Sequence, residues 1–164
     1  MKILLFVFPV MLAPNFLFAQ SQQDCNKLKE ENAYLRASLK INEPIKVVNS
    51  DKIEFKLLKA EGNAKSQSIT FTFVLLTSAA NWEIEQRIKS IIDIDGNEYE
   101  LKSKTIGAKS YGDIVLNTDV PIKCTFTFGG VLPAVKLIKL FKFEYYYPGQ
   151  TRFAEFRDIS IDWK

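Results

Sequence analysis

Ser68-Ile69-Thr70-Phe71-Thr72-Phe73-Val74-Leu75-Leu76-Thr77 decides the fold class. Ile69, Phe71, Phe73 and Leu75 fall on one side of an extended chain, with Thr70 and Thr72 on the other. That period of two buries one face of a strand, whereas a helix would scatter the same residues around its circumference. β-branched and aromatic residues fill the run and suit a pleated, half-buried surface. A strand over 68–77 therefore brings four large apolar side chains to a core.

Working outward, turn residues recur about every ten positions and divide the chain into further extended runs. Upstream, Ile53 to Leu58 is a strand ended by Gly62-Asn63. Downstream, Arg87 to Ile94 and Glu98 to Ile106 flank Asp95-Gly96-Asn97 and read as a hairpin, because Gly and Asn tolerate the positive φ of tight turns. Gly107 to Thr118 is polar and reads as a loop with a short strand at Ile114-Val115-Leu116. Pro121 to Phe128 alternates strictly, placing Ile122, Cys124, Phe126 and Phe128 on one side. Gly129-Gly130 turns the chain into Val135 to Tyr147, and Pro148-Gly149 suits a type II turn before Arg152 to Trp163. Lys139 breaks the parity shared by Val135, Leu137, Phe141, Phe143 and Tyr145, which predicts a bulge or an exposed stretch near Ile138 to Leu140. Seven or eight antiparallel strands with no helix after residue 44 predict an all-β sandwich over residues 45–164, a small closed barrel being the alternative.

Residues 1–19 read differently. Lys2 precedes the apolar run Ile3 to Leu12, and Leu17-Phe18-Ala19 leads into polar Gln20-Ser21, the layout of a secretory signal peptide cut after Ala19. The run is broken by Pro9 and Pro14 and falls short of the roughly 20 apolar residues of a membrane span, so no retained span is expected. Export places the rest in the periplasm or outside the cell, where thiols can pair.

Residues 20–44 form a helical segment. Asp24 to Leu39 contains no Gly or Pro and is rich in good helix formers. Cys25, Leu28, Asn32, Leu35 and Leu39 are spaced by three, four, three and four, an a-d seam that predicts a parallel two-stranded coiled coil and a homodimer. Asn32 at an a position selects register, Glu31 faces Arg36 of a second helix across the g and e positions, and Cys25 would face its own mate. The same stripe packed against the sandwich, or a loose stalk, are the alternatives, since two heptads are few. Cys124, on the apolar side of its strand, reads as a buried inert thiol. A bridge from it to Cys25 requires the helix to fold back.

The 164 residues are 47% hydrophobic and 25% charged, the balance of an ordered globular chain. There is no histidine, which excludes every mechanism needing imidazole as base or ligand, and a formal charge of +3 is too small to imply nucleic acid. Asp93-x-Asp95-Gly96-x-Glu98 invites a calcium reading, but the glycine and glutamate spacing of a helix-loop-helix site is missing, so it reads as a hairpin turn with no metal. Glu83 with Glu85 and Asp158 with Asp162 are neighbours along the chain and not a catalytic pair; no nucleophile elbow or phosphate loop is present. No catalytic residues or cofactors are expected.

Asp93-Ile94-Asp95-Gly96-Asn97-Glu98-Tyr99, Leu116-Asn117-Thr118-Asp119-Val120-Pro121-Ile122-Lys123 and Phe126-Thr127-Phe128 resemble secreted, immunoglobulin-like β-sandwich proteins of Gram-negative bacteria, over about residues 50–164. The resemblance implies an immunoglobulin-like antiparallel sandwich serving as an extracytoplasmic accessory or binding domain. Only Cys124 lies in the sandwich, so the buried cystine of antibody-type domains has no counterpart.

Tyr145, Tyr146, Tyr147, Trp82 and Trp163 are the residues most suggestive of recognition, because aromatic faces suit sugars and protein partners. Alternation turns Tyr146 away from Tyr145 and Tyr147, which leaves Trp82 and Tyr146 as the candidate binding residues. Lys136, Lys139 and Lys142 could line a basic edge, although edge lysines also block sheet-to-sheet aggregation. The expected function is a non-enzymatic binding or scaffolding module of the bacterial envelope, dimeric through its helix, with an unidentified protein or glycan partner. A monomeric glycan-binding domain is the alternative.

Overall fold

The structure is a computed structural model that describes residues 25–35 and 43–164, apart from 80, 108, 110, 111 and 148. The chain divides at Asn42 into two compact units. The leader reading (1–19), Leu39 and Arg36 lie outside the described residues. Residues 25–35 form helix α1, on which Cys25, Leu28 and Leu35 are exposed. No described helix is long and apolar enough to cross a membrane.

The described residues from Glu43 to Lys164 form eleven strands. They are β1 (Lys46–Ser50), β2 (Ile53–Asn63), β3 (Ser68–Thr77), β4 (Trp82–Gln86), β5 (Ser90–Asp93), β6 (Glu98–Ile106), β7 (Ile114–Leu116), β8 (Ile122–Gly129), β9 (Leu137–Tyr147), β10 (Gln150–Ser160) and β11 (Asp162–Trp163). The expected seven or eight is corrected upward for local reasons. β4 and β5 act as one interrupted strand along β9: Glu85 pairs with Tyr146, the Arg87 amide donates to the Glu144 carbonyl (2.8 Å), and Ile91 pairs with Phe141. β7 and β11 are three and two residues long. β1 is an added edge strand whose weak pattern carried no signal.

Two layers result. One runs β1-β2-β3-β8-β6, the other places β10 and the β4/β5 strand on either side of β9. β6 belongs to both: Glu98 to Glu100 pair with β5, whereas Leu101 to Ile106 pair with β8, with a register shift between Leu101 and Ser103. The order β2-β3-β8-β6 over β5-β9-β10 is that of an immunoglobulin-type sandwich, in which a four-strand sheet faces a three-strand one. Among the described residues, all pairings are antiparallel except the short β11–β2 pair and the Thr77–Thr118 bridge.

The predicted inward residues Ile69, Phe71, Phe73 and Leu75 are fully buried, as are Cys124, Phe126 and Phe128. Phe73 stands 4.8 Å from Phe141 and 5.1 Å from Phe156, ring centre to ring centre, and Phe55 stands 4.9 Å from Phe143, so rings from the two layers interlock. Tilted and edge-on pairs of this kind add about 0.5–1.5 kcal/mol each beyond burial. The bulge expected near Ile138 to Leu140 is found at Lys139: Ile92 pairs with Leu140 and Asp93 with Ile138, leaving Lys139 out to reach Asp158 at 2.7 Å. Both cysteines are free. Burial pushes the Cys124 thiol up to about 12, which makes it a core side chain with no nucleophilic role.

Candidate functional site

Three places were candidates for recognition: the aromatic end of β9, the helical stripe and the β5–β6 hairpin. The register separates the aromatic residues first. On β9, Phe141, Phe143 and Tyr145 face the core, so Lys142, Glu144 and Tyr146 face outward. Ile84 is buried, which gives Trp82 the inward parity on β4 and Glu85 the outward one. Trp82 stacks on Tyr147 with centroids 4.3 Å apart and planes 20° from parallel, at the edge of the core. The two predicted binding residues, Trp82 and Tyr146, thus lie on opposite sides of one sheet and do not form a common site.

Tyr145 is fully buried and structural. Its hydroxyl lies 2.9 Å from Ser50 Oγ and donates to Asp51 Oδ2 at 3.0 Å, and Asp51 also pairs with Arg152. Burial, reinforced by Asp51, pushes the phenol up to about 12 despite the opposing Ser50 bond.

Tyr146 has a different neighbourhood. The Arg87 guanidinium sits 4.5 Å from its ring centre and forks onto Glu85, with Nε–Oε1 at 3.2 Å and Nη2–Oε2 at 3.0 Å. That fork holds the Glu85 carboxyl below its ordinary range. On the next strand Phe153 points outward and is 50% exposed, with Lys142 Nζ 4.5 Å above its ring. Tyr146 pairs with Thr151 and Phe153 pairs with Glu144, so the two rings are diagonal neighbours across the sheet. Around them stand the pairs Arg87–Glu85 (3.0 Å), Lys142–Glu144 (3.9 Å) and Arg157–Glu155 (2.6 Å). The result is an aromatic centre inside a ring of self-paired charges. Phe153 was missed in the sequence because its strand read as a run from 152 with no parity assigned; the alternation Ala154, Phe156 inward was the available signal. Lys136, Lys139 and Lys142 do not form one edge, since Lys139 pairs with Asp158, Lys142 covers Phe153 and Lys136 lies toward the opposite end. Glu85 and Asp158 are each tied to a cation.

At the β5–β6 hairpin the carboxylate of Asp93 is buried and accepts four hydrogen bonds. Oδ1 takes the amides of Asp95 and Asn97 (2.9 Å each), and Oδ2 takes Asn97 Nδ2 (2.9 Å) and Tyr99 Oη (2.8 Å). Burial alone would push the carboxyl up, yet these four donors outweigh it and hold Asp93 below the usual carboxylate range. With its lone pairs filled by donors, Asp93 organises the turn, and a cation at this carboxylate would have to displace amide protons. Gly96 supplies the positive φ of 85° that the turn requires.

No protein-family model matches the chain, and none of the curated proteins compared with it matches.

Proposed function

We propose that this chain is a non-enzymatic, exported binding module that engages a protein partner through the outward face of β4, β9 and β10, and that its N-terminal helix joins two copies. The observation that carries the reading is the diagonal placement of Tyr146 and Phe153 on one outward face, framed by ion pairs that satisfy one another. Aromatic and arginine anchors inside a polar rim are the anatomy of protein-binding hot spots. A sugar needs a bare ring face to stack on; here Tyr146 carries Arg87 and Trp82 carries Tyr147, which favours the protein partner over the glycan alternative. Two buried ionisable groups of the sandwich, Asp93 and Tyr145, are consumed by structural hydrogen bonds, in keeping with binding and not turnover. Pairing of two helices along Cys25, Leu28, Asn32 and Leu35 doubles each site and raises avidity without new contacts.

The test is site-directed photo-crosslinking in the native envelope with the probe at Thr151, on the proposed face, and at Lys65, in the β2–β3 turn. A protein adduct specific to the Thr151 probe and lost on Phe153→Asp supports the reading. Identical adducts from both positions, or an adduct indifferent to Phe153→Asp, overturns it. Glycan retention abolished by Trp82→Ala would instead establish the alternative.

A further inference from the structure

At the end of the sandwich away from Tyr146, the β5–β6 turn and the β8–β9 connection enclose a cleft of about 400 Å³. Ile94 on one wall and Leu132 on the other are 61% and 54% exposed, with Tyr99, Val135 and Leu137 half-buried between them. Both walls are fixed from behind. Four hydrogen bonds to Asp93 lock the turn that carries Ile94. The opposite wall is held by Trp163, whose indole donates to the Val135 carbonyl at 2.7 Å, and by the Ile161 amide on the Lys136 carbonyl at 3.0 Å. The backbone segments that carry these two exposed apolar side chains are therefore tied down on both sides of the cleft. The volume is that of a small-molecule site, mostly apolar with a few fixed polar groups.

The charge at this site has a sign. Asp93 lies beneath the cleft, 2% exposed, and among the described residues no lysine or arginine pairs with it. Its four partners are neutral donors, so its charge is stabilised but not cancelled. Asp95 adds a second carboxylate at the lining. Lys136 opposes them, but its flexible, exposed side chain can keep its ammonium in water, whereas Asp93 is fixed in low-dielectric surroundings where its field is screened least.

We propose that this cleft binds an aliphatic stem that ends in a cationic group, an alkylammonium or guanidinium, with the stem between Ile94 and Leu132 and the charge beside the exposed Asp95 carboxylate, within the field of Asp93 but not on its filled lone pairs. The site is separate from the outward face of β9 and β10, and either can fail without the other. Free amines and a lysine or arginine side chain of a protein share this chemistry.

Trp163 supplies the readout, because Trp82→Phe leaves it as the single tryptophan and it touches the cleft wall directly. The Trp82→Phe chain is titrated at low salt with hexylamine, hexanol and hexanoate, and with an end-blocked tripeptide carrying a central lysine. A saturable change in Trp163 emission with hexylamine is expected, at least about tenfold tighter than with hexanol or hexanoate and weakened by salt. Leu132→Ser should weaken all hexyl ligands, and Asp95→Asn should weaken the amine while leaving the alcohol unchanged. Binding of the tripeptide assigns the site to a protein side chain; binding of hexylamine alone assigns it to a small amine. No saturable response to any probe, equal affinity for amine and alcohol, or amine binding indifferent to Leu132→Ser overturns the proposal. Because Asp95 is exposed, its substitution tests the charge without risk to the fold.

Discussion

Gly62→Ala is predicted to unlatch the C-terminal strand. Gly62 lies in β2 without a positive φ, so alanine suits its backbone and should stabilise by about 0.4–1 kcal/mol through the unfolded state alone. A methyl group there, however, would meet Trp163 Cδ2 and Cε3 at 2.4 Å, in the rigid part of the indole. The ring must leave. With it go the burial of a half-covered indole, about 1–1.5 kcal/mol, and the bond from Nε1 to Val135, about 1 kcal/mol. The end of the β11–β2 pairing goes too, in which Lys164 N donates to Gly62 O at 2.9 Å and Ala64 N to Lys164 O at 3.2 Å, about 0.5–1.5 kcal/mol each. Offset by the alanine gain, the net loss is about 2–5 kcal/mol. Urea unfolding of four chains measures it: the parent, Gly62→Ala, Trp163→Ala and the double variant. In the Trp163→Ala background the indole atoms that the methyl would strike are gone, so Gly62→Ala should be neutral or slightly stabilising, and the two changes should couple by most of the net loss. A Gly62→Ala chain as stable as the parent, or additive effects in the double variant, refutes the reasoning.

Asp93→Asn replaces two acceptor sites by donors facing Asn97 and Tyr99, and should cost about 1–3 kcal/mol at neutral pH. The Asp93 carboxyl is held below its unfolded value of about 3.9, so its contribution is complete above that pH and fades as pH falls through the lower folded value. The stability gap between parent and variant, followed by fluorescence unfolding, should therefore narrow only below about pH 4. Tyr145 behaves in the opposite sense: its folded pKa near 12 lies above the unfolded value of about 10, so its contribution is complete below pH 10 and is lost as pH rises toward 12. Tyr145→Phe should flatten part of the alkaline unfolding profile. Thiol titration of the folded chain under reducing, then desalted, conditions should modify exposed Cys25 and leave Cys124 untouched until denaturant is added. Light scattering should report a dimer that Leu28→Asp converts to monomer, and non-reducing gels should lose the covalent dimer on Cys25→Ser.

Much of the sandwich was legible because a strand with one buried face writes its orientation into every second residue. Ser68 to Thr77 and Ile114 to Leu116 coincide with the observed strands, and Lys139 announced its bulge by standing charged in an apolar parity. β1 was not legible, since Lys46-Val47-Val48-Asn49-Ser50 has an edge position and no fully buried residue. β4 was missed for a related reason: Ile84 is its single buried residue, and it borrows its place from β9 and β7. The sites fared worse than the strands. Alternation separates Tyr146 from Tyr145 correctly, yet which residue on a neighbouring strand meets Tyr146 depends on register between strands, so Phe153 and Arg87 could not be paired with it from sequence. The cleft depends on the β8–β9 connection, where Leu132 and Val135 lie in irregular chain with no period to read.

The C-terminal strand connects stability to recognition. β10 belongs to the three-strand layer, but two residues later β11 pairs with β2 of the other layer, so the chain end ties the two sheets together. The same segment sends Trp163 and Ile161 to the backbone of Val135 and Lys136, which form one wall of the cleft. Loosening the tie must therefore free that wall as well as weaken the sandwich. Under conditions where Gly62→Ala remains fully folded, its apolar walls can approach each other, and hexylamine affinity should fall although no residue lining the cleft has changed. Loss of affinity in proportion to unfolding alone would mean the wall is held by its own turn; loss ahead of unfolding places the control in Trp163.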